Sequence, residues 1–177
     1  MIDNALAKAN DSSQENDSNK EKNTIAAEDE DGKEDTQGNK EKGAALARSA
    51  AADVTAKNPD WATVNNVAKC NIYVNDKLTA NNMNPYTYAL SAADWANSKL
   101  KIPNWEIVTT PRPGDIAAFK QKRANATGHM GIVGQPTIVS NQNTLIYGGS
   151  SEYKYIVRST IASFNHNNWI YRRYTGK

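Results

Sequence analysis

One cysteine and two histidines occur in 177 residues. Cys70, in AKCNIYVNDKL, and His129, in GHMGIV, are of the types that form a thiol–imidazole couple. A thiol attacks as its thiolate, so a nucleophilic cysteine needs a nearby base or a lowered pKa, and a helix N-terminus or a histidine supplies either. Cys70 falls early in an expected helix, and the preceding Lys69 adds positive charge. His129 opens an apolar strand directly after Gly128, a residue that leaves room at the rim of a site. Placed there, an imidazole takes the thiol proton and later returns it to a leaving amine. A lone cysteine is commonly a buried structural one, and a suitable histidine elsewhere is what makes it a candidate nucleophile. His166, in FNHNNW between two expected strands, reads as a surface turn residue. With no CxxC or HExxH spacing and no glycine-rich phosphate loop, neither a metal nor another cofactor is expected.

The elements that would position these two residues follow from the pattern. GAALARSAAADVTAK, from Gly43, favours helix, and Asn58-Pro59 stops it. A second helix starts around residues 63–66 and carries Val67, Cys70, Val74 and Leu78 at helical spacing. A third is expected across SAADWANSKL, with Ser91 as N-cap and Asp94 completing a capping box. After Trp105 the character changes. PRPGDIAAF reads as a turn delivering a buried strand, and KQKRANATG as a polar loop. HMGIVGQPTIVS, a turn at NQN and TLIYGG form an expected hairpin, and YKYIVRSTI and NNWIYRRY are two more strands. Helices first and an antiparallel sheet afterwards is an α+β arrangement.

The ordered series KCNIYVNDKL, ADWANS, PRPGDIAAF and GHMGIV, spanning roughly residues 60–174, resembles the NlpC/P60 and CHAP cysteine peptidases and amidases. The aromatic in CNIYV is more similar to CHAP than to NlpC/P60. The resemblance implies a papain-like fold with N-terminal helices packed on an antiparallel β-sheet, Cys70 as nucleophile and His129 as base. It also implies amide hydrolysis in peptidoglycan stem peptides. These families orient the histidine with a polar residue on the next strand, here TLIYGGSSEYK, where Tyr147 or Ser150 falls at the position, or Glu152 if a bulge shifts the register. The backbone N–H of Cys70 is an expected oxyanion donor.

Composition divides the chain into a charged linker, residues 1–43, and a domain, residues 44–177. The linker has no aromatic residue and carries 12 acidic against 6 basic residues, which suits a disordered segment. The remainder carries 15 basic against 7 acidic residues, a net of +8, which suits an anionic partner such as cell-wall polymer and predicts salt-sensitive binding. Arg172-Arg173 read as part of a solvated face, and Trp61, Trp95, Trp105 and Trp169 as core, with Trp105 also a candidate groove residue beside Pro103. No apolar run is long enough to span a membrane, and MIDNALAKANDSS lacks the basic start and apolar core of a signal peptide. Delivery by other means, to the periplasm or wall of a target cell, is therefore the expected setting. An interbacterial toxin domain covered in its producer by an immunity protein fits that setting; a phage endolysin is the alternative. A non-catalytic basic binder of cell wall or nucleic acid, and a thiol hydrolase or transglutaminase-like enzyme acting on proteins, are the competing classes.

Overall fold

The computed structural model describes residues 36–56, 69–123, 126–134, 144–149 and 156–176. Its helices are α1 (Gln37–Ala56), α2 (Lys69–Ala80) and the single turn α3 (Ala92–Trp95). Strands β1 (Trp105–Val108), β2 (Ile116–Arg123), β3 (Ala126–Val133), β4 (Leu145–Gly149), β5 (Ile156–Thr160) and β6 (Ile170–Tyr174) follow, with a 3-10 turn, Ile161–Phe164, between the last two. They form one sheet in the order β1-β6-β2-β3-β4-β5, every neighbouring pair antiparallel. The expected α+β class is what the chain adopts.

Each face of the sheet is covered, because the strands present apolar side chains in both directions. On the helix side, Leu46, Ala50, Cys70, Tyr73, Val74, Leu78 and Trp95 pack on Ile116, Ala118, Met130, Ile132 and Tyr147. On the other side, Val108, Ala117, Val133, Ile146, Ile161 and Tyr171 form a smaller cluster, with Phe164 and Trp169 against it. Strand alternation explains the division: neighbouring residues such as Ala117 and Ala118, or Ile132 and Val133, go to opposite clusters.

Several boundaries differ from the sequence reading. Helix α1 begins at Gln37, ahead of Gly43. The start expected for the second helix, residues 63–66, lies outside the described residues, as do Trp61, the turn at NQN and most of the charged linker. The third helix is only one turn, although its capping box is present: the Ser91 hydroxyl accepts from the Asp94 N–H and the Asp94 carboxylate accepts from the Ser91 N–H. Strand β1 had no expectation attached. The polar stretch after Phe119, expected as a loop, instead prolongs β2 and opens β3, with a register shift between Lys120 and Arg123. Polarity there reflects the exposure of Lys120, Gln121 and Lys122, which pairing of the backbone does not forbid.

The two arginines expected on a solvated face are buried. Arg172 donates to the carbonyls of Trp95 (2.9 Å), Asn97 (2.7 Å) and Leu100 (2.9 Å), so it closes the polypeptide leaving α3. Arg173 pairs with the buried Asp115 at 3.0 and 3.2 Å and donates to the Thr110 carbonyl. Asp115 also accepts from the Arg112 N–H at 2.7 Å, so the aspartate of PRPGD fastens its own turn to β6. Gly114, at φ +92°, is part of the same device: a Cβ there would stand 2.1 Å from the carbonyl oxygen of Gly43, where α1 crosses the turn.

Candidate active site

Cys70 is the second residue of α2 and is 5% exposed. Three backbone N–H groups surround its sulfur: its own, that of Asn71 in the same turn, and that of Met130 in β3. Burial pushes the thiol above its ordinary value, and the three N–H groups act in the opposite direction. Desolvation is the larger effect, so the resting group is a thiol held where donors would meet a thiolate. The side chain of Lys69, expected to add positive charge, lies outside the described residues.

Strand geometry locates that sulfur. Val133 donates to the Asp115 carbonyl and accepts from the Gly114 N–H, so its backbone polar groups point toward the β2 side. Alternation then directs the N–H and C=O of Met130 to the β4 side. A Cβ built at Gly148 of β4 would lie 3.1 Å from the Met130 carbonyl oxygen, which agrees. The Cys70 sulfur therefore meets β3 from the helix side, at the seam between β3 and β4.

His129 precedes Met130 and points to the other face of the sheet. Its register partner is Phe119, and its ring stacks on Phe164 with centroids 4.5 Å apart and planes 23° apart. Gly128, at φ +152°, makes the approach possible, because a Cβ there would fall 2.0 Å from the Phe119 carbonyl oxygen. A Cβ at Gly148 would lie 3.5 Å from His129 Nε2, so the imidazole also leans toward the β3–β4 seam. The thiol thus meets β3 at the Met130 N–H from the helix side, and the imidazole stands on the opposite face beside Gly148.

Tyr147 lies opposite Ile132 on the helix side. A Cβ at Gly134 would stand 2.7 Å from its ring, so it covers the end of β3 rather than the face that carries His129. Ser150 and Glu152 lie outside the described residues. His166 is half-buried rather than a plain surface residue: it stacks on Phe119 at 4.2 Å, and its Nδ1 accepts from the Asn168 N–H at 3.2 Å. Trp95 and Trp105 are core residues, packed edge to face at 5.0 Å, and the Trp105 indole N–H donates to the Met83 carbonyl. That burial removes Trp105 as a groove residue. Gly148 and Phe164 escaped the sequence reading. Only the β3–β4 register and the turn after β5 bring them to His129, and no local pattern encodes either.

Among the described residues no group of three or more His, Cys, Asp or Glu could hold a metal ion. No helix among them is long and apolar enough to cross a membrane. What the arrangement can do is thiol chemistry at a buried sulfur flanked by N–H donors.

No curated protein and no solved structure matches the chain. The family model described as the CHAP domain matches residues 58–149, just over half of the chain and a span that includes both Cys70 and His129. CHAP domains are generally amidases and peptidases, which agrees with a thiol held among N–H donors beside a histidine strand. The chain belongs to the CHAP domain family.

Proposed function

We propose that this chain hydrolyses amide bonds in the stem peptides of peptidoglycan, with Cys70 as nucleophile and His129 as general base, on a papain-like version of the α+β fold. The supporting observation is the Cys70 sulfur held among three backbone N–H donors, one of them from Met130 beside His129, within the span that matches the CHAP family. Because burial keeps the resting sulfur protonated, the scheme requires His129 to come within hydrogen-bond reach of it at the β3–β4 seam and take the proton as attack begins. The thiolate adds to the amide carbonyl carbon. The carbonyl oxygen takes the negative charge, and the Cys70 N–H is the donor we assign to it. Collapse breaks the C–N bond, and the His129 imidazolium gives its proton to the departing amine. Water, deprotonated by His129, then attacks the thioester, and breaking the C–S bond restores the thiol and releases a carboxylic acid. Tyr147, on the helix side, is not used in this scheme; Ser150 and Glu152 remain the positions we assign for a polar partner of the imidazole.

The setting we favour is that of an interbacterial toxin domain acting in the periplasm or wall of a target cell, with an immunity protein as its partner in the producer. The acid-rich segment 1–43 beside a basic domain supports a linker-and-cargo organisation. Growth arrest on export to the periplasm but not on cytoplasmic expression tests that setting. For the chemistry, purified sacculi are digested and the muropeptides weighed. Shortened stems with the wild-type protein and none with Cys70→Ala are expected; equal digestion by both would remove the proposal.

A further inference from the structure

The imidazole of His129 is held by aromatic rings as well as by its strand. Phe164, last residue of the 3-10 turn after β5, lies nearly parallel to it at 4.5 Å and 23°. Phe119, its register partner on β2, is tilted against it at 6.2 Å and 51°. Phe119 is fully buried and is itself fixed by His166 at 4.2 Å and Trp169 at 4.6 Å, while Phe164 meets Trp169 edge to face at 5.5 Å. Asn165 ends the turn in the left-handed region at φ 46°, which sends the chain back over this cluster toward β6. A terminal imidazole torsion is broad when unsupported, so a parallel ring restricts which way Nε2 points.

We propose that Phe164 is the positioning residue of the His129 base, fixing the plane of the imidazole toward the β3–β4 seam and stabilising the imidazolium against its π face. The inference rests on the reading of His129 as the base. A π face attracts a cation, so the stack favours the state that follows proton transfer from Cys70. Titratable or charged groups on the elements around the imidazole include the Cys70 thiol at the Met130 N–H on the helix side, His166 stacked on Phe119, and exposed Lys120, paired with Gly128.

Two variants separate this role from simple packing. Phe164→Leu keeps an apolar side chain and loses the π face; Phe164→Tyr keeps the ring. With both histidines 13C-labelled in a Cys70→Ala background, NMR titration follows His129 directly, its signal assigned against His166→Gln. Phe164→Leu is expected to lower the His129 titration midpoint by about half a unit, and Phe164→Tyr to leave it within about a tenth of the parent. In the active enzyme, Phe164→Leu is expected to lower kcat by roughly threefold to fivefold with KM unchanged. A His129 midpoint unmoved by Phe164→Leu, or moved equally by both variants, overturns the inference. The NMR arm needs no turnover, so failure of the hydrolase reading shows separately, as absence of muropeptide products with the wild-type protein.

Discussion

Gly148→Ala is the sharpest perturbation of the seam toward which the imidazole leans. The added methyl would stand 3.1 Å from the Met130 carbonyl oxygen, 3.5 Å from His129 Nε2 and 3.7 Å from His129 Cε1. The first distance is tight, and relieving it shifts β4 or Met130 by a few tenths of an ångström, a strain of about 1 kcal/mol. The contacts to the imidazole are ordinary van der Waals ones, so the methyl fills the space into which Nε2 faces. Displacement of a base by a fraction of an ångström to one ångström lowers turnover by roughly tenfold to a hundredfold. Gly131→Ala is the control: its methyl would meet the Tyr147 carbonyl at 2.7 Å and force the same two strands apart through backbone alone. The assay pairs thermal melting with muropeptide release from sacculi. Gly148→Ala is expected to melt close to wild type while losing most activity, and Gly131→Ala to lose stability more than Gly148→Ala does. Full activity in a folded Gly148→Ala protein would refute the placement of Nε2 at the seam.

Four further outcomes follow from the structure. Asp115→Ala leaves Arg173 buried without its carboxylate and is expected to destabilise by about 3–5 kcal/mol, read by urea unfolding, with Asp115→Ala/Arg173→Met recovering part of the loss. Burial raises the Asp115 carboxyl to about 6 against the pull of Arg173. Its folded-state value therefore exceeds its unfolded one, and its contribution is full below about pH 4 and is lost as pH rises through about 6; Asp115→Asn is expected to flatten that part of the melting profile. Arg172→Met strands the carbonyls of Trp95, Asn97 and Leu100 and is expected to cost about 2–3 kcal/mol by the same unfolding assay. Alkylation of Cys70 by iodoacetamide is expected to keep accelerating as pH passes the ordinary thiol value of 9.0, because burial raises the group; a rate plateau at acidic pH would show a preformed thiolate–imidazolium pair instead.

The sequence was most informative where chemistry and local pattern coincide. The α+β order, the capping box at Ser91 and Asp94, a strand through HMGIV and the placement of Cys70 early in a helix all rest on short-range signals, and the structure shows each, although that strand begins at Ala126 rather than at His129. Long-range partners were less legible. Arg172 and Arg173 looked like surface charge because nothing near them announces that Asp115 and the carbonyls after α3 will accept their hydrogen bonds. The stretch around Arg123 looked like a loop because its residues are polar, although a ladder with exposed side chains needs only paired backbone. At the site, residue types named Cys70 and His129, but the neighbours of the imidazole, Phe119, Phe164 and Gly148, come from three separate elements. Their meeting depends on strand register and on the turn after β5, which single-residue patterns do not encode.

The central claim is that Cys70 carries the acyl group between cleavage of the amide and release of the acid. Acid quenching of the wild-type protein during turnover of a purified muropeptide, followed by peptide mapping, tests it directly. A thioester of the stem acyl group on the Cys70 peptide is the expected result, absent in Cys70→Ser and with His129→Ala. Continued cleavage by protein whose Cys70 has been fully alkylated, with no acyl group on that peptide, would contradict the account.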